Sequence, residues 1–220
     1  MVKILDGLHA FLWFHPSVNN CNTYLIDAGN KILIDPGHDH LFGHVREGLS
    51  KLSIAPEDID LVILTHGHPD HLEGIRAFIN SKTLVAIHEK EMAFIRETSS
   101  LYGREPGLSD FEPHLLLREG HLNVGHLRFR VIHCPGHSPG SVCLYWEEKR
   151  VLFSGDTLFD QGIGRSDLPG GDGQKLRESI QKLKEWDVEV LLPGHGGFLS
   201  GKDKVMANFR DVESLWFGLL

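Results

Sequence analysis

Apolar runs alternate with polar loops along the chain. At one junction between two apolar segments, four side chains that can bind metal lie within six positions. Leu61–Leu64 form a short apolar run that predicts a buried strand. Leu72, Ile75 and Ile79 then recur at helical spacing and predict a helix. Loops between rigid elements often carry functional side chains, so this junction predicts a metal-binding loop. Its four candidate ligands are His66, His68, Asp70 and His71.

The remaining pattern predicts strands followed by helices, twice over. This order indicates an α/β chain with two β-sheets packed face to face and helices outside, folding as a single domain over residues 1–220. Residues 98–113 break the pattern and are predicted to be a loop, either a cover for a site or a surface excursion. The predicted strands are Val2–Leu5, Leu8–Phe14, Cys21–Asp27, Lys31–Asp35, Leu84–Ile87, His114–Leu117, Leu122–Val124, Leu127–His133, Ser141–Trp146, Val151–Phe153 and Val188–Leu192. The predicted helices run from Leu41 to Leu52, His88 to Glu97, Gln174 to Trp186 and Val205 to Leu219.

Three later apolar runs also end in a side chain that can bind metal, each beside a glycine. His137, Asp156 and His195 hold these positions. Glycine allows the backbone to approach a neighbour closely, as a ligand-bearing turn requires. Each turn alone is unremarkable in a folded protein. Together with the first loop they supply five histidines and two aspartates, which favours one shared metal site.

Composition narrows the partners and the compartment. The net charge of −8 argues against a nucleic acid as the main partner. The three cysteines include no CxxC pair, which indicates a reducing compartment without a disulfide framework. No segment approaches the apolar length of a membrane span. We therefore expect a cytoplasmic protein that binds a small molecule, with no nucleic-acid and no membrane partner.

In order and spacing, these seven residues resemble the ligand set of the metallo-β-lactamase superfamily, over most of the chain from Asn20–Tyr24 to Leu192–Gly196. The resemblance implies an αβ/βα four-layer sandwich, in which two packed mixed β-sheets have helices outside. It implies two divalent metal ions, with zinc expected first because imidazole and carboxylate ligands suit it, and with iron or manganese as alternatives. Asp35 would support the first ligand loop without binding a metal itself. In the implied assignment, His66, His68 and His137 hold one ion, Asp70, His71 and His195 hold the other, and Asp156 bridges them.

Departures from family patterns point to one branch. Asp156 stands where the best-known subclass of zinc β-lactamases has cysteine, which disfavours antibiotic hydrolysis. His68 stands where flavodiiron proteins have glutamate, which disfavours oxygen reduction. Gly155–Phe159 and Gly162–Asp172 resemble the glyoxalase II-like branch, shared by single-domain type II glyoxalases and persulfide dioxygenases. Larger glyoxalase II enzymes add a C-terminal helical domain that helps to bind glutathione, and we expect no such domain here.

The resemblance implies a metal-dependent hydrolase of the hydroxyacylglutathione hydrolase kind. A hydroxide shared by the two ions would attack the carbonyl of a thioester or related ester, with Asp70 as the catalytic residue that orients the attacking oxygen. Arg165 is a candidate substrate-binding residue, although a role in holding its own loop through Asp167 is favoured. The alternatives are a mononuclear iron persulfide dioxygenase, a lactonase, a non-catalytic metal-binding scaffold, and a nuclease or phosphodiesterase.

Other polar and apolar residues are assigned structural roles. Cys134 is predicted to fill a strand end, and Cys21 and Cys143 are predicted to lie in the core. The apolar C-terminus either packs within the chain or forms a homodimer contact. His38, His40 and His44 are predicted on a solvated helix face, with His38 nearest the Asp-Pro-Gly turn.

Overall fold

The computed structural model describes residues 1–98 and 112–220. The chain divides into two compact units, Met1–Leu117 and Arg118–Leu220, called here the N-terminal and the C-terminal unit. The loop predicted at residues 98–113 lies outside the described residues except at its ends. That the whole chain forms one domain stays a prediction.

The N-terminal unit is built on a seven-stranded mixed sheet in the order β1-β2-β3-β4-β5-β6-β7. The first four strands pair antiparallel, and the last four pair parallel. Apolar side chains of the sheet and helices form one buried cluster around Leu33, Val62 and Ile87. The strands are β1 (Val2–Leu5), β2 (Leu8–Phe11), β3 (Thr23–Ala28), β4 (Asn30–Ile34), β5 (Leu61–Ile63), β6 (Leu84–His88) and β7 (Leu115–Leu117), and the helices are α1 (Gly43–Lys51), α2 (Pro69–Leu72) and α3 (Glu89–Thr98).

The C-terminal unit has a six-stranded mixed sheet in the order β15-β14-β11-β10-β9-β8. Its pairs are antiparallel except β11 with β14, which is parallel. Strands β12 and β13 pair antiparallel as a separate two-stranded sheet. The strands are β8 (Gly120–Val124), β9 (Leu127–His133), β10 (Val142–Trp146), β11 (Val151–Gly155), β12 (Leu158–Phe159), β13 (Gly162–Ile163), β14 (Val190–Pro193) and β15 (Leu199–Ser200), and the helices are α4 (Gly173–Leu183) and α5 (Lys202–Trp216).

The helix predicted after the first ligand loop differs from the structure. It holds only four α-helical residues and continues as a 3-10 helix over Glu73–Phe78. The Gly74 amide donates to the Gly37 carbonyl (2.6 Å), and the Asp70 carbonyl accepts from the Cys21 amide (3.3 Å). These tertiary bonds occupy the two groups that an α-helix would pair with each other. Ile79, predicted on the apolar face, is 55% exposed.

Smaller differences follow from very short elements. The pairs β12–β13 and β14–β15 contain two-residue strands, too short to show alternation. Helix α4 ends at Leu183 rather than Trp186, since the last turn tightens into bonds such as Trp186 N–H to the Leu183 carbonyl. Among the described residues, no helix is both long and apolar enough to cross a membrane.

Candidate metal centre

The first ligand loop leaves β5 and enters α2 with its candidate ligands withdrawn from solvent. The rings of His66 and His68 are 4.8 Å apart between centroids, and those of His66 and His71 are 4.1 Å apart. Four ionisable side chains are thus gathered in one loop of the N-terminal unit, as the sequence predicted. Their exposed fractions are 1% for His66, 7% for His68, 9% for Asp70 and 0% for His71.

Asp35 supports this loop, as the family resemblance implied. Strands β4 and β5 are parallel neighbours, so Asp35 at the end of β4 lies beside Thr65 at the end of β5. The Thr65 amide donates to Asp35 Oδ1 (2.8 Å), and the Thr65 hydroxyl donates to Oδ2 (2.7 Å). His71 Nδ1 lies 2.9 Å from the same Oδ2. One buried carboxylate therefore fixes both the loop backbone and a candidate ligand.

These bonds also determine which histidine nitrogen could bind a metal. His71 Nδ1 donates to the Asp35 carboxylate, which can only accept, so Nε2 carries the lone pair. The Thr65 hydroxyl uses its proton on Asp35, and its oxygen therefore accepts from His66 Nδ1 at 3.1 Å. His66 Nε2 is left with the lone pair as well. Hydrogen bonds from the far nitrogen are the usual support of metal-binding histidines.

Sequence reasoning missed two further residues that hold this loop. Asn19 Nδ2 donates to Asp70 Oδ2 at 2.6 Å, so this amide orients the carboxylate. Glu91, only 1% exposed on α3, accepts from the Gly67 amide at 2.8 Å with Oε1. The available signal was the position of Glu91 four residues before Ile95, on the apolar face of its helix. A carboxylate on such a face indicates a buried polar contact.

Replacing Glu91 with alanine is expected to weaken metal binding by at least about tenfold, because it removes the acceptor that holds Gly67 between His66 and His68. The Glu91→Gln protein keeps an oxygen acceptor and should retain most of the affinity. Competition with a chromophoric chelator measures the change. Glu97→Ala, an exposed position on the same helix, is the control. Unchanged affinity in Glu91→Ala would contradict this role.

The three later candidates lie together in the C-terminal unit. Strands β9 and β11 run in the same direction because each is antiparallel to β10, and β14 is parallel to β11. The ends of all three strands therefore lie at one edge of the sheet, where His137, Asp156 and His195 follow them. Asp156 Oδ2 is 3.6 Å from His137 Nε2 and 3.3 Å from His195 Nε2. The structure thus brings these three side chains together, and their role as metal ligands stays a prediction.

His137 is oriented by backbone rather than by a carboxylate. Its Nδ1 donates to the Arg165 carbonyl at 2.7 Å, which leaves the lone pair on Nε2, the nitrogen that faces Asp156. The Arg165 side chain instead donates twice to Asp167, at 2.9 and 2.8 Å. These hydrogen bonds lower the pKa of Asp167 to about 2. Arg165 thus holds its own loop, and its binding of substrate stays a prediction.

The donor atoms fit a metal ion. Ligand atoms at zinc–nitrogen distances on a tetrahedral ion are about 3.4 Å apart, and the two separations around Asp156 Oδ2 are 3.3 and 3.6 Å. Imidazole nitrogens and carboxylate oxygens suit zinc, iron and manganese. Cys134 is fully buried, and burial raises the pKa of its thiol, which opposes the thiolate form that binds metal. Cys21 and Cys143 are buried in the core, as predicted.

A sequence model of the metallo-β-lactamase superfamily matches residues 16–195. The chain belongs to this superfamily. A probable metallo-hydrolase of Methanocaldococcus jannaschii is 36% identical over 187 residues, covering 80% of this chain and 87% of the relative. A hydroxyacylglutathione hydrolase of Francisella tularensis subsp. novicida is 29% identical over 202 residues, covering 90% of this chain and 72% of the relative. The family is one of hydrolase-type enzymes that bind divalent metals.

Solved structures confirm the predicted α/β fold. A metallo-β-lactamase family protein of Thermus thermophilus matches with a TM-score of 0.80 at 25% identity, covering 96% of this chain and 80% of that chain. BLEG-1, a B3 metallo-β-lactamase, matches with a TM-score of 0.76 at 31% identity, covering 93% and 99%. TTHA1623 in a di-iron-bound form matches with a TM-score of 0.69 at 28% identity, covering 91% and 95%. Structures of this fold therefore include one with two iron ions.

Proposed function

We propose that this chain is a metal-dependent hydrolase that cleaves thioesters or related esters, with two divalent ions held by seven side chains. His66, His68 and His137 would hold one ion, and Asp70, His71 and His195 the other. Asp156 would bridge the two. Zinc is the proposed metal, and the di-iron form of a 28% identical structure makes iron the second candidate.

The observation that carries this proposal is the set of supporting hydrogen bonds. In each unit, candidate histidines give their Nδ1 proton to an acceptor and keep Nε2 for a metal. Asp156 Oδ2 lies near nitrogens of His137 and His195, which are assigned to different ions, as a bridging oxygen would. Polar residues of an ordinary surface loop do not need their histidine rings oriented in this way. The hydrogen bonds therefore favour a metal site.

When bound, two divalent ions would act as Lewis acids and lower the pKa of a shared water towards neutrality. The protein residues supply the positioning. Asn19 holds one oxygen of Asp70, which leaves the carboxylate oriented to accept a hydrogen bond from the attacking oxygen. Asp35 keeps His71 in the metal-binding tautomer. The reaction adds water to the carbonyl and releases a carboxylic acid and a thiol.

The substrate class rests on the relatives and on the sequence of the branch. One relative, 29% identical, is a hydroxyacylglutathione hydrolase, and this favours a hydroxyacyl thioester as the substrate. A persulfide dioxygenase that uses one iron ion is the second candidate, because the same branch includes that reaction. A β-lactam is a third class to test, since a B3 metallo-β-lactamase is a 31% identical structural neighbour.

A substrate panel tests the proposal. Metal-replete protein would be assayed for thiol release from a hydroxyacylglutathione and from a thioester of another thiol, for lactone and β-lactam opening, and for oxygen uptake with glutathione persulfide. We expect thioester cleavage to be fastest, and we expect it to be lost in His68→Ala. His126→Ala, an exposed histidine outside the ligand set, should keep full activity. Oxygen uptake without thioester cleavage would replace the proposal.

A further inference from the structure

A second group of metal-binding side chains lies in the N-terminal unit, outside the seven residues assigned above. We propose that His38, His40 and Glu73 form an accessory site for a divalent first-row transition ion. One donor atom from each residue lies within 4.8 Å of the other two. His38 Nδ1 is 2.7 Å from Glu73 Oε2, and the rings of His38 and His40 are 5.1 Å apart between centroids.

The backbone around this group is held in place by hydrogen bonds. The His38 amide donates to Asn20 Oδ1 at 2.8 Å. The Gly74 amide donates to the Gly37 carbonyl at 2.6 Å, which ties the residue after Glu73 to the residue before His38. A Cβ at Gly74 would lie 2.7 Å from the Pro36 carbonyl, so the two segments are in close contact. The backbone that carries His38 and Glu73 is therefore held in place before an ion binds.

The group is also accessible. The side chains of His38 and Glu73 are 19% and 29% exposed, and His40 lies at the surface. Two imidazoles and one carboxylate leave coordination positions for water. This donor set suits zinc, nickel, cobalt or copper, whereas calcium and magnesium prefer oxygen ligands alone.

A simple ion pair between His38 and Glu73 is the competing explanation of the 2.7 Å contact. The two explanations differ in the role that they give to His40. In an ion pair, His40 is a surface residue whose removal changes nothing. In a metal site, His40 is a ligand, and its removal weakens binding by at least about tenfold, since even residues that only support a ligand have effects of that size.

A bound ion would connect two segments that lie next to residues of the main site. His38 follows the turn that carries Asp35, and Glu73 directly follows the helix that carries Asp70 and His71. Binding to the folded chain alone raises its stability by mass action. The accessory ion would therefore hold the supporting turn against the ligand-bearing helix.

Zinc titration of the full chain tests the accessory site. Protein purified with its own metals is first analysed for metal content and then titrated with zinc in a calorimeter. We expect wild-type protein to bind one more equivalent of zinc than His40→Ala. We also expect added zinc to raise the melting temperature of the wild type more than that of His40→Ala. Glu73→Gln is the second variant, and His126→Ala is the control that should bind as the wild type does.

The initial metal content separates this test from the proposed function. Equal content in wild type and His40→Ala, followed by loss of one titrated equivalent in the variant, supports the accessory site whatever the main site holds. Equal totals of initial and titrated metal in wild type, His40→Ala and Glu73→Gln would overturn it. Activity is not needed for either result.

Discussion

Replacing Gly164 with alanine is expected to destabilise the protein by about 3 kcal/mol and to remove bound metal. An added Cβ would lie 1.8 Å from the Asp156 carbonyl oxygen and 3.0 Å from His137 Nδ1. The first clash is with backbone, which no side-chain rotation relieves. The residue that carries one ligand and the ring of another must therefore both move. Thermal denaturation and metal analysis measure the two effects.

Gly162→Ala is the matched control for this change. Its added Cβ would meet Phe159 Cδ2 at 3.5 Å, an ordinary van der Waals distance, in the same loop region. We expect this control to keep its metal and nearly all of its stability. A Gly164→Ala protein as stable and as metal-rich as Gly162→Ala would show that the described packing around Asp156 is wrong.

Replacing Asp35 with asparagine is expected to lower metal affinity by roughly 10- to 100-fold, the range typical of residues that support metal ligands. The asparagine amide has one accepting oxygen, whereas the carboxylate accepts from the Thr65 amide, the Thr65 hydroxyl and His71 Nδ1. An NH₂ group beside His71 Nδ1 favours the opposite tautomer, which puts the proton on the nitrogen that should bind metal. The positive φ of Asp35, 52°, is tolerated by asparagine, so backbone strain is not added.

Asp27→Asn makes the same chemical change at an exposed position on β3. We expect its metal affinity and activity to match the wild type. Metal affinity is measured by chelator competition, and the His71 tautomer by nitrogen NMR of the folded protein. A full-affinity Asp35→Asn protein with His71 still protonated on Nδ1 would refute the role of Asp35.

Much of the candidate site could be predicted because its ligands follow apolar strands. A run such as Leu61–Leu64 predicts a strand, and a histidine or aspartate directly after it has few structural reasons to be there. The structure shows why Asp156 and His195 lie together: β11 and β14 are parallel neighbours, so both residues follow their strands at the same edge of the sheet. The local pattern was enough to identify these residues as candidates, and the family resemblance supplied the assignment of ligands to ions.

The supporting residues could not be predicted in the same way, because their contacts join distant parts of the chain. Glu91 meets Gly67 across 24 positions, and Asn19 meets Asp70 across 51. The backbone carbonyl of Arg165 supports His137, although the sequence drew attention only to the Arg165 side chain. No periodicity records such contacts.

The 3-10 helix after α2 shows how tertiary bonds override a local pattern. The spacing of Leu72 and Ile75 is helical, and both residues are buried. The pattern could not show that the Gly37 carbonyl takes the Gly74 amide. The same contact places Glu73 beside His38, which the sequence assigned to a solvated helix face. His38 itself has extended backbone before a 3-10 turn at Asp39–Leu41, because the α-helix begins only at Gly43.

The proposed function requires ligands from both units to bind the same two ions, and metal counting in single and double variants tests this requirement most directly. His68 and His137 are assigned to one ion although they lie in different units. We expect His68→Ala and His137→Ala each to lose one metal equivalent of two, and the double variant to lose no more than either single variant. Losses that add in the double variant, or a wild-type protein that holds no more than one equivalent in the main site, would contradict it.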